Sequence, residues 1–366
     1  MRILYIYCMP APYRVDFFNE LGKYCELTVL FERRSARNRE QKWMASEFNH
    51  FKAIFLKGIM VGDESSFSPE VLLYINRSYD VIVTGGYSSP TYMMAMAYMR
   101  FKKIPFFLNA DGGFIRTDAR WLGWLKHFLV TCPKGYLSTG SKTSQYLIHY
   151  GAEKDQIYLF PFTSVKREDI YSPAKDEKRK AKQKLEIREE KAAISVGQFI
   201  PRKGFDLLIR AAKRVSPEYG IYIIGGCPGE EYNSYIRSHN ITNVHFVGFK
   251  TKNELRDYYI AADMFVFPTR EDVWGLVLNE ALAFGLPVVA SDKAVSSFEL
   301  VLEGENGYII DPEQTGQMAE KITFILDYDE LREKMAEKSL EIIKNYTIED
   351  MAQRHMEIFN SWKNKI

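Results

Sequence analysis

Two carboxylates and two cations in this chain are spaced to serve one anionic, hydroxyl-rich ligand. Asp272 and Glu280 stand eight residues apart, about 12 Å if the chain between them is helical. Gly275, Leu276 and Val277 lie between them, where a helix begins. Backbone N–H groups at a helix start lack partners and carry the positive end of the dipole, so they suit a phosphate; Gly275 lets the backbone come close. Arg202 and Lys203, followed by Gly204, open a second helix and supply charge suited to a pyrophosphate. Sugar hydroxyls at one end, a pyrophosphate in the middle and a ribose at the other would match this spread. A plainer assignment fits the same residues: Asp272 as a helix cap, Glu280 as a solvated helix residue, Arg202-Lys203-Gly204 as an exposed helix start.

The elements that must position these groups follow from periodicity. Met264 to Pro268 is an apolar run bounded by turn residues and reads as a buried strand. After the charged loop Thr269 to Asp272, the residues Leu276, Leu278, Ala281, Leu282 and Phe284 recur at helical spacing. Gly285 takes the C-cap position and Pro287 prevents continuation. Pro287 to Ala290 is the next strand. This is a βαβ unit, whose ligands bind where strands end and helices begin. The same alternation runs from the first residue. Ile3–Tyr7, Leu27–Phe31, Asp80–Gly86, Phe106–Gly113, Ala192–Gly197, Tyr222–Gly226 and Asn243–Phe249 read as strands with their turns. It predicts doubly wound parallel sheets.

Composition narrows the class. The 366 residues suit two domains, and 46% hydrophobic with 26% charged residues is an ordinary globular balance. A net charge of +2 divides into +6 over residues 1–165 and −4 over the rest. The loop Glu32 to Lys42, with Arg33, Arg34, Arg37 and Arg39, adds to the basic half. Such a half suits an anionic acceptor, anionic lipid or no particular partner. The four cysteines are widely spaced without C-x-x-C, which argues for a reducing cytoplasm and against a zinc site; no two of the six histidines stand at metal-ligand spacing. Met1 to Leu4 enters a strand directly, so no signal peptide is expected, and no apolar run is long enough to span a bilayer. The aromatic segment Trp121 to Val130, near Arg116, Arg120, Lys126 and Lys134, suits an anionic membrane surface or, alternatively, a core helix. Lys175 to Lys191 reads as a solvated inter-domain helix, not a nucleic-acid site.

The stretch PTREDVWGLVLNEALAFGLPVV, residues 268–289, resembles the donor-binding signature of retaining glycosyltransferases of family 4. That resemblance implies an α/β GT-B fold, two Rossmann-like doubly wound domains facing a cleft. The first would be an acceptor domain of residues 1–170 joined by a C-terminal helix, 347–366, that crosses back to it. The second would be a donor domain of residues 171–346. Glu280 matches the family's second Glu, which binds the ribose. Asp272 stands where the first Glu is usual, one methylene shorter, against the transferred sugar. Lys203 matches the Lys that meets the leaving group, while Gln198, after Gly197, replaces the usual Arg; Arg202 is placed to compensate. Gly275, Leu276 and Val277 would bind the donor diphosphate, and Phe249 with Lys250 the base. Asp111 stands where relatives keep a His or acidic residue near the sugar, giving it a catalytic or acceptor role unless it is an ordinary turn aspartate. Arg14 would meet an acceptor phosphate, or else simply open a helix in solvent. Phe298-Glu299-Leu300 and Gly304 to Tyr308 resemble the family's closing motif.

The resemblance implies a retaining, metal-independent hexosyltransferase with no resident cofactor. Its donor would be a UDP-sugar and its acceptor a glycan or lipid-linked glycan of bacterial capsule or lipopolysaccharide synthesis, in the cytoplasm at the inner face of the plasma membrane. A sugar-nucleotide epimerase on the same fold and a non-catalytic sugar-nucleotide-binding scaffold are the alternatives. A dinucleotide oxidoreductase fits poorly, because neither Gly85-Gly86 nor Gly225-Gly226 forms G-x-G-x-x-G before a helix.

Overall fold

The alternating strands and helices sort into two parallel sheets in the computed structural model, which describes residues 1–34, 47–61 and 65–364. Arg37, Arg39 and Lys42 of the basic loop lie outside the described residues. The chain forms two compact units, Met1–Ser164 with Thr347–Ile366, and Val165–Tyr346.

In the first unit the strands are β1 (Arg2–Tyr7), β2 (Glu26–Phe31), β3 (Lys52–Phe55), β4 (Ile59–Val61), β5 (Ser65–Phe67), β6 (Val81–Thr84), β7 (Phe107–Ala110), β8 (Gly135–Ser138) and β9 (Ile157–Leu159). Seven of them make one sheet in the order β3-β2-β1-β6-β7-β8-β9, and β4 pairs antiparallel with β5 outside it. The long sheet is parallel throughout. Parallel strands are covered on both faces, which is why Ile3 to Ile6 are apolar without alternation and fully buried. The order reverses between β1 and β6. Residues 43 to 79 gave no strand expectation, and β3, β4 and β5 lie there. They are three or four residues long and mostly half-buried or exposed, so they carry little periodic signal.

The helix Ile348–Lys363 belongs to this unit and packs against Pro12–Leu21. His355 fills the joint, its ring 4.8 Å from Phe17 and 4.6 Å from Phe160, while Phe359 and Trp362 meet Phe107. Burial pushes the His355 imidazole down to about 3, so it is neutral at physiological pH, with Nδ1 2.7 Å from the Met351 carbonyl.

The second unit holds β10 (Lys191–Val196), β11 (Tyr219–Ile224), β12 (Val244–Val247), β13 (Met264–Phe267), β14 (Val288–Ser291) and β15 (Gly307–Ile310). Their order is β12-β11-β10-β13-β14-β15, all parallel. The chain winds outward from β10 to β12, then restarts on the other side of β10 with β13. The reversal therefore lies between β10 and β13, and ligands of such sheets bind at the carboxyl ends of the strands flanking it. Leu207, Leu208, Ile221, Val266, Val289, Met318 and Ile322 pack in one core.

The basic helix, Lys175–Lys184, is not merely solvated. Lys178 and Lys182 reach Asp263, just before β13, at 2.6 and 2.9 Å. Burial pushes the Asp263 carboxyl up, but the two ammoniums outweigh it and hold that carboxyl below its ordinary range. No described helix is long and apolar enough to cross a membrane.

Candidate functional site

At the reversal in the second unit, two loops are stitched together. The loop after β10 turns through Pro201–Lys203 into the helix Phe205–Ala212; the loop after β13 leads through Gly275 into Leu276–Ala283. The Arg202 carbonyl accepts from the Arg270 amide at 2.8 Å and from the Thr269 hydroxyl at 2.9 Å. Arg270 grips Asp206 with two bonds of 2.7 Å and Glu313 with a third of the same length. Gly204 sits at φ 69°, and a Cβ there would lie 2.0 Å from the Pro268 carbonyl oxygen, so no other residue fits where the loops touch.

The candidate side chains are set by this stitching. Lys203 Nζ lies 2.5 Å from Asp272 Oδ2, with Arg202 Nη1 3.5 Å from the same oxygen. Lys203 also lies 5.6 Å from the centre of the Phe267 ring. Gly275 caps its helix at φ 93° against that ring, where a Cβ would come within 2.4 Å. Gly197 flanks the stem of Lys203; a Cβ there would lie 3.5 Å from Lys203 Cδ. Thus Lys203 and Gly275 lie against Phe267, Asp272 and Gly197 adjoin Lys203, Arg202 approaches Asp272, and Leu276 and Val277 begin the helix after Gly275. Glu280, further along, accepts a 3.0 Å bond from the Tyr259 hydroxyl. Gln198 is exposed. Phe249 and Lys250 follow the edge strand β12, Phe249 exposed and Lys250 3.9 Å from Glu254.

Several residues that shape this site gave no chemical signal in the sequence. Phe267 reads as an ordinary core residue of a strand. Trp274 is buried and donates from Nε1 to Asn279 at 2.8 Å, and the Ser296 hydroxyl donates to the Trp274 carbonyl. These bonds hold the loop that presents Asp272 and Gly275. Among the described residues no group of three His, Cys, Asp or Glu is arranged to hold a metal ion.

In the first unit, Asp111 and Arg14 come together after β7 and β1. Arg14 is fully buried, contrary to an exposed residue aimed at an acceptor phosphate. Its guanidinium donates to Asp111 Oδ1 and, through Nε, to the Tyr7 hydroxyl at 2.8 Å. The rings of Tyr7, Tyr13 and Phe162 surround it at 4.9, 5.4 and 4.7 Å. Burial pushes Arg14 down, but the Asp111 charge prevails and holds it well above its ordinary value. Tyr7 donates to Asp111 Oδ2 at 3.1 Å, and Asn109 Nδ2 to Oδ1 at 2.5 Å. Asp111 is therefore a bound, oriented carboxylate, not a loose turn residue. Glu32, at the end of β2, was read as loop charge; it is buried instead, accepting from Ser66 at 2.8 Å and Ser89 at 2.5 Å, and burial raises its carboxyl.

Comparison with known proteins bears on the fold and on the second unit. Crystal structures place the fold: Anabaena HepE in complex with UDP superposes with a TM-score of 0.81 at 16% identity, over 99% of this chain and 100% of that one. WaaG, a glycosyltransferase involved in lipopolysaccharide biosynthesis, gives 0.68 at 16% identity over 98% and 99%. The fold is GT-B. Residues 176–341, within the second unit, match the family model described as glycosyl transferases group 1. An uncharacterized glycosyltransferase of Methanocaldococcus jannaschii is 28% identical over 157 residues, 43% of this chain and 44% of that protein. The chain spans about half the length of the curated relatives it matches first. Within the second unit, residues 176–341 are thus similar to the group 1 glycosyl transferases.

Proposed function

We propose that this protein transfers a hexose from a nucleotide-sugar, a UDP-sugar, to a hydroxyl of a glycan or lipid-linked glycan with retention of configuration. The observation that carries the reading is that Lys203 meets both Asp272 and the Phe267 ring against which the Gly275 helix start packs, with Arg202 on the same carboxylate, at the sheet reversal of a GT-B fold. When the sugar–phosphate bond breaks, charge develops on the departing diphosphate. The Lys203 ammonium, the Arg202 guanidinium and the Leu276 and Val277 amides supply the compensating positive charge without a metal ion. Asp272 accepts hydroxyls of the transferred sugar and Glu280 those of the ribose. The acceptor hydroxyl attacks the anomeric carbon on the face the diphosphate leaves and gives its proton to a departing phosphate oxygen; Asp111 is assigned a catalytic or acceptor role. HepE was solved with UDP and with UDP-glucose, which favours a UDP-sugar donor; WaaG is involved in lipopolysaccharide biosynthesis, which favours a surface-polysaccharide acceptor.

Thermal melting with a panel of nucleoside diphosphates and nucleotide-sugars tests the reading. A ligand at 100 times its dissociation constant adds about 2.7 kcal/mol, so UDP and UDP-sugars should raise the melting temperature equally with and without EDTA. A shift that EDTA abolishes would refute the metal-free site, and no shift from any nucleotide would refute the donor assignment.

The acceptor side of the reading includes a peripheral position on an anionic membrane. On the helix Arg120–Val130, Trp121 and Trp124 are 69% and 68% exposed while Leu129 and Val130 are buried. Large aromatic side chains on an exposed face beside Arg116 and Arg120 suit a lipid headgroup layer. Anionic liposomes at low salt should carry the protein in flotation, and Trp121→Ser/Trp124→Ser should stay behind. Equal recovery of the two proteins would reject this surface.

A further inference from the structure

We infer that Asp272 acts as a gate on Lys203, admitting a complete nucleotide-sugar more readily than the bare nucleoside diphosphate. The inference rests on the donor-site reading above and adds a discrimination between substrate and product.

The pair is short and enclosed. Lys203 Nζ and Asp272 Oδ2 are 2.5 Å apart, and the two side chains are only 13% and 14% exposed. The Lys203 stem runs past Gly197 and its ammonium sits beside Phe267. The Asp272 backbone donates to the Lys293 carbonyl at 3.0 Å and bridges to Ala294. Arg202, 3.5 Å from the same carboxylate oxygen, is half-exposed and does not replace Lys203. A phosphate that approaches this ammonium therefore also approaches an anion, in surroundings that screen charge poorly.

The two ligands meet that repulsion differently. A nucleoside diphosphate takes hydrogen bonds from Lys203 and leaves Asp272 with a weakened partner beside new negative charge. A nucleotide-sugar brings the same phosphates together with sugar hydroxyls, which donate to the carboxylate as it gives up the ammonium. Unpaired buried charge is costly, whereas a hydrogen-bonded carboxylate is tolerated. Asp272 thus penalises the product left after transfer, which helps it leave, while the intact donor compensates the loss.

Titration calorimetry on the full chain tests this with two probe pairs, UDP against UDP-glucose and GDP against GDP-mannose. For the pair that binds, Asp272→Asn should bind the diphosphate roughly tenfold more tightly than the parent, because like-charge contacts are strongly unfavourable. Its preference for nucleotide-sugar over diphosphate should shrink by a similar factor. Asp272→Ser removes the same charge and serves if the asparagine variant does not fold. Unchanged or weaker diphosphate binding in these variants, alongside loss of binding in Lys203→Ala, would overturn the gate and leave the donor site standing. Parental affinity in Lys203→Ala, or no binding of either pair by any protein, would overturn the donor site and the gate with it.

Discussion

Lys203→Ala is expected to lower turnover by roughly 100- to 1000-fold, the range found when one preorganised donor is removed from a developing anion. The expectation follows from position. Lys203 is the best-enclosed cation at the sheet reversal, held in place by the stitched loops at Arg202 and Thr269 and by the Gly204–Pro268 contact. Its stem is therefore positioned before the ligand arrives, and once the ammonium has passed from Asp272 to the phosphates little reorganisation remains for the reaction. Arg202 offers a comparison on the same loop. It is 49% exposed and 3.5 Å from Asp272, so solvent screens it and its side chain must be ordered; Arg202→Ala should cost about tenfold or less. The measurement is steady-state transfer from the donor that shifts melting, with kcat and KM determined separately. A larger loss in Arg202→Ala than in Lys203→Ala would reverse these roles. Wild-type rates in Lys203→Ala would remove the assignment altogether.

Arg202 and Lys203 are adjacent in sequence, yet one is half-exposed and the other enclosed. The strand, charged loop, helix and second strand from Ala262 to Asp292 were legible because each boundary has a local cause. Pro268 and the charged residues end the strand, Gly275 opens the helix, and Gly285 with Pro287 ends it. The parallel alternation was legible for the same reason. Partnership across the sheet was not. Lys203 and Asp272 are 69 residues apart, and Arg14 and Asp111 are 97 apart. Their meeting depends on β10 lying next to β13, and on β1, β6 and β7 being neighbours in the other sheet. Chain order does not state that adjacency. Burial was the other hidden quantity. Arg14 and Glu32 carry charges that composition assigns to the surface, yet each is enclosed by partners drawn from elsewhere in the sequence: Tyr7, Phe162 and Asp111 for one, Ser66 and Ser89 for the other.

Arg14→Met should destabilise the first unit by about 2–4 kcal/mol, somewhat under the 3–5 kcal/mol typical of breaking a fully buried ion pair. The discount reflects Asp111, whose side chain is 23% exposed while that of Arg14 is 1% exposed. Methionine keeps the apolar contacts with Tyr7, Tyr13 and Phe162 but removes every donor that Arg14 offers. The Tyr7 hydroxyl loses the Nε bond, and among the described residues Asp111 keeps Tyr7 and Asn109. For a unit of this size the loss corresponds to a melting temperature lower by roughly 4–16 °C. Charge and packing separate in a double-mutant cycle. If the cost is an uncompensated carboxylate, Asp111→Asn should recover part of the stability lost in Arg14→Met, because an amide in that position needs no counterion. If the cost is packing alone, the two substitutions add. The same cycle bears on function, since Arg14 is one of the three side chains, with Tyr7 and Asn109, that orient Asp111. Transfer by Arg14→Met should fall even at temperatures where the variant is fully folded, with little change in donor affinity. A folded variant with unaltered transfer would show that the orientation of Asp111 is irrelevant to the reaction.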